Sequence, residues 1–371
     1  MDKSIIELFK CPICGLSLHY NNKKNLECLN CFKEFKNQNN IIDFRDKKKD
    51  ETKGFSIKKD ILISNILIKL FNKVNFFNGL FYIYESLAKK EIEEIEKLNA
   101  NLLLSNAKDK DLPLTADQSI HGYDILNKIE LYKKDFILDK FKNEMCLENG
   151  CGLGLFIEGF SKKFKKILVV DFSVSFLILA KKICAEKKID NACLICANSE
   201  KLPIKDNSID FIHSNNVIEH VKHQDKMVSE INRTLKKKGF LFLLSPNKNT
   251  AYFEPHFRLP FYGFFPLFIR KWYVNKIFKR DCTEVSLINL IELKKLFKLN
   301  FSGKCYFTFL PSKLKETAQK SPIRKTIVYL LNNKITGKII NFLINKLLIF
   351  IMPYHVVIAK KNNFNTTDTD F

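Results

Sequence analysis

The sequence predicts an α/β fold, a parallel sheet with helices on both faces, preceded by a small metal-stapled module. Three observations carry this. From about residue 125 onward, short apolar runs of strand length alternate with amphipathic runs of helix length. The first of those strands runs straight into a glycine loop, ENGCGLG, at 148–154. Near the start, two Cys-x-x-Cys pairs stand with thirteen residues between them.

Composition bounds the rest. A chain of 371 residues, 46% hydrophobic and 27% charged, suits a globular enzyme. The formal charge of +22 would point to nucleic acid or an anionic membrane. Only six of the 62 basic residues are Arg, however, and the chain is also crowded with Asn, Ile and Phe, whose codons are AT-rich. Base readers depend on the planar Arg fork, so RNA is the weaker expectation. Eleven cysteines, an odd number, follow a start that lacks a basic region and an apolar core. That pattern predicts a reducing, cytoplasmic setting. No run of about 18 apolar residues offers a spanning helix.

Taken in order, residues 1–48 read as a zinc ribbon. CPIC supplies Cys11 and Cys14, CLNC supplies Cys28 and Cys31, and Gly15 follows the first knuckle. Paired knuckles at this spacing converge four thiolates on one tetrahedral ion, and so small a module hardly folds without it. Residues 49–124 read as a helical linker. Its polar opening gives way at 61–84 to an Ile, Leu and Phe pattern striped with Lys and Asn, and then to a charged helical run. The core spans 125–310: a helix at 126–141, strands at 144–150, 166–173, 192–198, 208–216 and 240–247, and intervening helices. Cys193 and Cys196 lie in a buried strand and read as core on opposite faces. An insertion at 247–283 is long for such a connection and suggests a substrate lid. Residues 311–353 form an amphipathic helical insertion, suited to lying along a surface. A last strand at 354–361 and a disordered tail at 362–371 complete the chain.

The glycines decide among nucleotides. They stand at 150, 152 and 154, but Leu155 occupies the place where a dinucleotide fingerprint needs a third small residue. No Gly-Lys-Ser/Thr follows, so a triphosphate cradle is excluded. Glu148, two residues before the first glycine, would repel a pyrophosphate but suits an amino acid's ammonium. Asp171 closes the next strand, where a carboxylate accepts ribose hydroxyls, and Asn198 with Ser199 ends the following one, within reach of an adenine edge. Ammonium, ribose and adenine together describe S-adenosylmethionine.

The stretches LENGCGLG, VVDFSVSFLILAKK, ANSEKLPIKDNSIDFIHSNNVIEHV, INRTLKKKGFLFLLSPN and YHVVIAKK occur in the order of a known family. The chain resembles the class I S-adenosylmethionine-dependent methyltransferases, especially the group of ubiquinone and menaquinone methylases. The resemblance implies a Rossmann-like seven-stranded sheet whose last strand is antiparallel. It also implies that Glu148 and the glycines frame the methionine moiety, Asp171 holds the ribose, Phe172 packs on the adenine, and Asn198 with Ser199 meets the adenine amino group, with Asn215 beside them. Some relatives have Glu at the position of Asn216 and use it, with the equivalents of Glu219 and His220, to hold a divalent cation; Asn216 breaks that trio. His220 and His256 remain the base candidates, with Glu219 beside the first, and a purely structural Glu-His pair stays open. The lid and the apolar helices favour a small hydrophobic, lipid-linked or glycan-type acceptor, with peripheral association at the inner face of the membrane. An RNA methyltransferase using its ribbon on substrate, and a non-catalytic zinc-ribbon interaction protein, are the alternatives.

Overall fold

The computed structural model describes residues 3–46, 55–98, 103–104, 144–250, 261–278, 285–308 and 348–362. The expected helix at 126–141, most of the 311–353 insertion, the tail from 363 and His256 lie outside the described residues.

The main sheet forms from runs whose alternate residues are apolar on both sides. In β6 (Met145–Asn149) and β7 (Lys166–Asp171), Cys146, Ile167 and Val169 join one core, and Leu147, Leu168 and Val170 the other. With β8 (Ala192–Cys196), β9 (Ile209–Asn215), β10 (Leu235–Pro246), β11 (Gly303–Thr308) and β12 (Tyr354–Lys361), these strands take the spatial order β8-β7-β6-β9-β10-β12-β11. Neighbours are parallel from β8 to β10, while β12 runs antiparallel to β10 and β11. The sequence turns back between β6 and β9, which opens a crevice at the carboxyl ends of the strands. Cys193 and Cys196 fall in opposite cores, as strand parity requires.

The ribbon divides its strands between two sheets. Strands β1 (His19–Tyr20), β2 (Leu26–Glu27) and β3 (Glu34–Phe35) make a small sheet of their own. Strands β4 (Asn37–Gln38) and β5 (Ile41–Asp43) instead join the main sheet, bringing it to nine strands. Ile42 and Asp43 of β5 pair in parallel with Ile195 and Cys196 of β8. Phe9, Leu26, Phe35 and Ile42 bury their side chains in the same core as Leu168 and Val170. The physical reason is the edge: β8 would otherwise present unpaired backbone groups and a bare apolar face.

After the short α1 (Lys3–Ile6), the helical segment also packs inward. It breaks into α2 (Ile57–Leu70), α3 (Phe77–Ala88) and α4 (Ile92–Glu96). Ile63, Leu67, Leu70, Phe77, Leu80 and Ile83 are buried in the core that also contains Leu177 and Ile183. The apolar face of 61–84 is therefore internal and is not free to meet a bilayer or a second copy. Helices α5 (Ile157–Ser161) and α6 (Val174–Glu186) cover the same side, and α7 (Gln224–Thr234) and α9 (Leu290–Asn300) the other. Between them in sequence, α8 (Leu267–Phe278) falls within the 247–283 insertion. Among the described residues no helix is long and apolar enough to cross a membrane.

Candidate active site

A cavity of about 480 Å³ opens over the carboxyl ends of the central strands. Gly150, Cys151, Gly152, Asp171, Phe172, Asn198, Ser199, Asn215, Asn216 and His220 contribute to its wall, and Phe55, Phe156, Phe176 and Val285 make much of the rest apolar. The volume lies within the range of small-molecule sites.

The glycine loop is fixed by its own backbone. Gly150 and Cys151 both donate to the carbonyl of Val170, at 2.8 and 3.0 Å. All three glycines have positive φ, between 50° and 81°. At Gly150 a Cβ would sit 2.2 Å from Val217, and at Gly154 2.7 Å from Ala180, so neither accepts a side chain. At Gly152 a Cβ would meet nothing within 4 Å. The loop thus offers bare backbone to whatever fills the cavity.

Asp171 ties this loop to the next. Its Oδ2 accepts from the Gly152 amide at 2.8 Å and its Oδ1 from the Ser173 amide at 2.9 Å. Burial pushes its carboxyl up to about 6, with the Ser173 and Gly152 amides working against that rise. Behind it stands a second carboxylate. Asp60 of α2 accepts from Ser173 Oγ (2.7 Å) and from the Val174 (3.0 Å) and Ser175 (3.1 Å) amides, so it caps α6 from a distant part of the chain. Arg45, just after β5, bonds Asp60, Asp43 and the Phe172 carbonyl at 2.9 to 3.0 Å. Arg45 and Asp60 are both about 95% buried or more, and a charged pair so placed is held by this full set of partners.

The remaining walls are polar and preset. Asn198 Oδ1 accepts from the Glu200 amide at 2.9 Å, and Ser199 Oγ donates to Asn149 Oδ1 at 2.8 Å. Asn216 adopts the left-handed conformation that turns the chain after β9.

Residues 147–243, which span β6 to β10 and all these loops, match the family model described as a methyltransferase domain. They are a methyltransferase domain. The chain is 36% identical over 124 residues to an uncharacterized protein of Methanocaldococcus jannaschii, covering 33% of this chain and 50% of that one. It is 27% identical over 231 residues to the ubiquinone biosynthesis O-methyltransferase of Pelagibacter ubique, covering 58% and 90%. Among solved structures, the YcgJ protein of Bacillus subtilis aligns over 64% of this chain and 99% of its own, at 18% identity and a TM-score of 0.39. The chain spans half the length of the Methanocaldococcus relative.

Within the methyltransferase domain, two expected site residues sit elsewhere than the sequence suggested. Glu148 is fully buried beneath the glycine loop and does not line the cavity. Its Oε2 lies 2.6 Å from His213 Nδ1, because the two residues are register partners on β6 and β9. Burial raises the Glu148 carboxyl while His213 opposes the rise. Glu219 is likewise buried and off the cavity wall, with its carbonyl accepting from the Ser286 amide at 2.7 Å. Its carboxylate lies 3.9 Å from His220 Nε2, whose ring is 45% exposed at the cavity wall. Sequence reasoning missed Arg45, Asp60, Phe55 and His213. For the first three no local pattern marks a partner more than 100 residues away, and a lone His in an apolar strand reads as core.

The four ribbon cysteines converge. Their sulfur atoms all lie within 4.8 Å of one another, with Cys11 to Cys31 at 3.5 Å and Cys14 to Cys28 at 3.4 Å. A tetrahedral zinc with Zn–S of about 2.3 Å requires sulfurs about 3.8 Å apart, so the donor set fits that ion. The Ile13 amide donates to Cys11 Sγ at 3.4 Å, a knuckle bond that favours thiolate.

Proposed function

We propose that this protein transfers a methyl group from S-adenosylmethionine to a small hydrophobic or lipid-linked acceptor. The observation that carries this reading is the pairing of Asp171, aimed by two backbone amides, with a glycine loop whose middle residue is open to the same cavity. Asp171 keeps lone pairs for the ribose hydroxyls. Phe172, with Phe55 edge-on to it at 5.3 Å, offers a flat surface to the adenine, and Asn198 and Ser199 stand at the adenine edge. Gly152 and Asn215 flank the methionine end. Glu148 acts there through the loop it supports, in place of direct contact with the ammonium.

Bound in this site, the sulfonium supplies an electrophilic methyl group. The protein's task is to place an oxygen, nitrogen or carbon nucleophile in line with the departing sulfur and to take up the proton the acceptor loses. His220, half-exposed at the wall and near Glu219, is placed to accept that proton. His256 remains a second candidate. The phenylalanines of the cavity favour an apolar acceptor, and the relative that acts in ubiquinone biosynthesis is consistent with one. In the ribbon, zinc on Cys11, Cys14, Cys28 and Cys31 would serve structure alone.

The test has two arms. Calorimetry should show S-adenosylhomocysteine binding to the wild-type chain, and a preference for NADH would overturn the reading. Labelled S-adenosylmethionine should mark a lipid-extractable fraction; label entering RNA alone would replace the acceptor by RNA.

A further inference from the structure

The lid insertion carries a face that methyl transfer does not use. Residues 261–278, FYGFFPLFIRKWYVNKIF, include Arg270, Lys271 and Lys276 and no acidic residue. On the inner side Tyr262 and Val274 are buried and pack with Phe265, Tyr273, Leu287 and Val285 into a small core of their own. Val285 also lines the cavity, so this core forms part of the cavity wall. On the outer side Phe268 is 72% exposed, Trp272 62% and Phe264 58%. Phe268, Trp272 and Lys276 recur every four residues and share one stripe of α8, with Lys276 Nζ 5.3 Å above the Trp272 ring. Phe261 is half-exposed too, and holds a left-handed backbone conformation that costs a bulky residue strain.

Single exposed apolar residues are ordinary, but this many in one short stretch mark a contact surface. The chemistry selects the partner. Arg270 lies over the Tyr262 ring on the inner side, and a protein partner that buried the exposed Lys271 and Lys276 would have to answer them with acids of its own. A headgroup layer accepts aromatic rings at the acyl boundary and lets lysines reach back to phosphates on long stems. A chain with a net charge of +22 and an acid-free stretch is matched to an anionic layer. We propose that residues 261–277 are an interfacial anchor for an anionic phospholipid surface, seating the cavity beside the bilayer. The anchor stands on this face alone; only its use in delivering a lipid-borne acceptor rests on the methyl-transfer reading.

Trp272 is the one tryptophan of the chain and lies in the face, so it reports the contact directly. The experiment follows its emission in the full chain on adding vesicles of phosphatidylcholine, with or without phosphatidylglycerol, and with bromine-labelled acyl chains. The expected result is a blue shift and bromine quenching, at least tenfold stronger in lipid affinity with phosphatidylglycerol present. Phe268→Asp should lower that affinity tenfold or more while leaving S-adenosylhomocysteine affinity unchanged. Emission indifferent to vesicles would overturn the proposal. So would quenching by polyuridylate without any response to lipid, which would make the face a nucleic-acid surface. Emission already blue and shielded from acrylamide before lipid is added would also overturn it, since another segment of the chain would then cover the face. Loss of S-adenosylhomocysteine binding in the wild type, with lipid binding intact, would sink the methyl-transfer reading and leave the anchor standing.

Discussion

If Asp171 accepts the ribose hydroxyls, it must stay ionised in a place that favours its neutral form. Burial lifts it to about 6, and hydroxyl donors favour the charged carboxylate, so its acidity in the complex should be stronger than in the free protein. The sign follows. Above pH 6 the site is ready; below it a proton must leave before the ligand binds, and affinity should fall about tenfold per pH unit. The same raised value makes this group's contribution to folding stability greatest below its unfolded range and lost as pH rises through about 6. Calorimetric affinity for S-adenosylhomocysteine and ligand-free stability should therefore move in opposite directions as pH falls toward 5. Asp171→Asn should flatten the affinity profile and weaken binding by about 2 to 3 kcal/mol above pH 6. A variant with the parent's pH profile would remove Asp171 from ribose binding. Asp171 was legible in sequence because its position after an apolar strand fixes it at the sheet's carboxyl edge. The partner of Glu148 was not legible, because strand position fixes which face a side chain takes, not which neighbour waits there, and His213 waits one strand over.

At the level of elements, α6 depends on α2 for its start. Helix N-termini leave unsatisfied amides, and here Asp60 satisfies two of them while Ser173 takes the Phe176 amide at 3.2 Å. Asp60→Ala should cost about 1 to 2 kcal/mol for the cap, and more because Arg45 is left buried beside a missing partner. Urea unfolding would read this, with Asp60→Asn expected to recover part of the loss. Exchanging Glu96, which pairs with Lys58 on the surface, should change stability by less than about 1 kcal/mol. Equal effects for both would refute the capping role. The strand and helix alternation from 144 onward was readable because each unit is local and periodic. The polar stretch ending at Asp60 reads as a tether because its partners, Ser173, Val174 and Ser175, lie more than 110 residues away. The same distance hides the destination of α2 and α3: amphipathicity shows that a face must be covered and leaves open what covers it.

For the whole molecule the decisive feature is that the ribbon continues the sheet. Its last strand, β5, contributes three residues beside β8, too short a run to show a pairing partner some 150 positions on. Yet that strand delivers Arg45 to the carbonyl of Phe172, so the four-cysteine module and the loop after β7 share one buried cluster. Structural zinc in such modules supplies on the order of 10 kcal/mol of folding free energy. If zinc holds Cys11, Cys14, Cys28 and Cys31, removing it should release β5, strip Arg45 from Asp60 and loosen the loop that carries Asp171. Cys14→Ala, or chelation of the wild type, should then lower zinc content and S-adenosylhomocysteine affinity together. Arg45→Met should keep its zinc while losing part of the affinity, which separates the linkage from general unfolding. A ribbon that merely hung from the enzyme would behave otherwise: chelation would unfold residues 1–48 and leave ligand affinity untouched. That outcome, read by metal analysis and calorimetry on the same samples, would break the argument that the ribbon edge of the nine-stranded sheet and the loop after β7 work as one body.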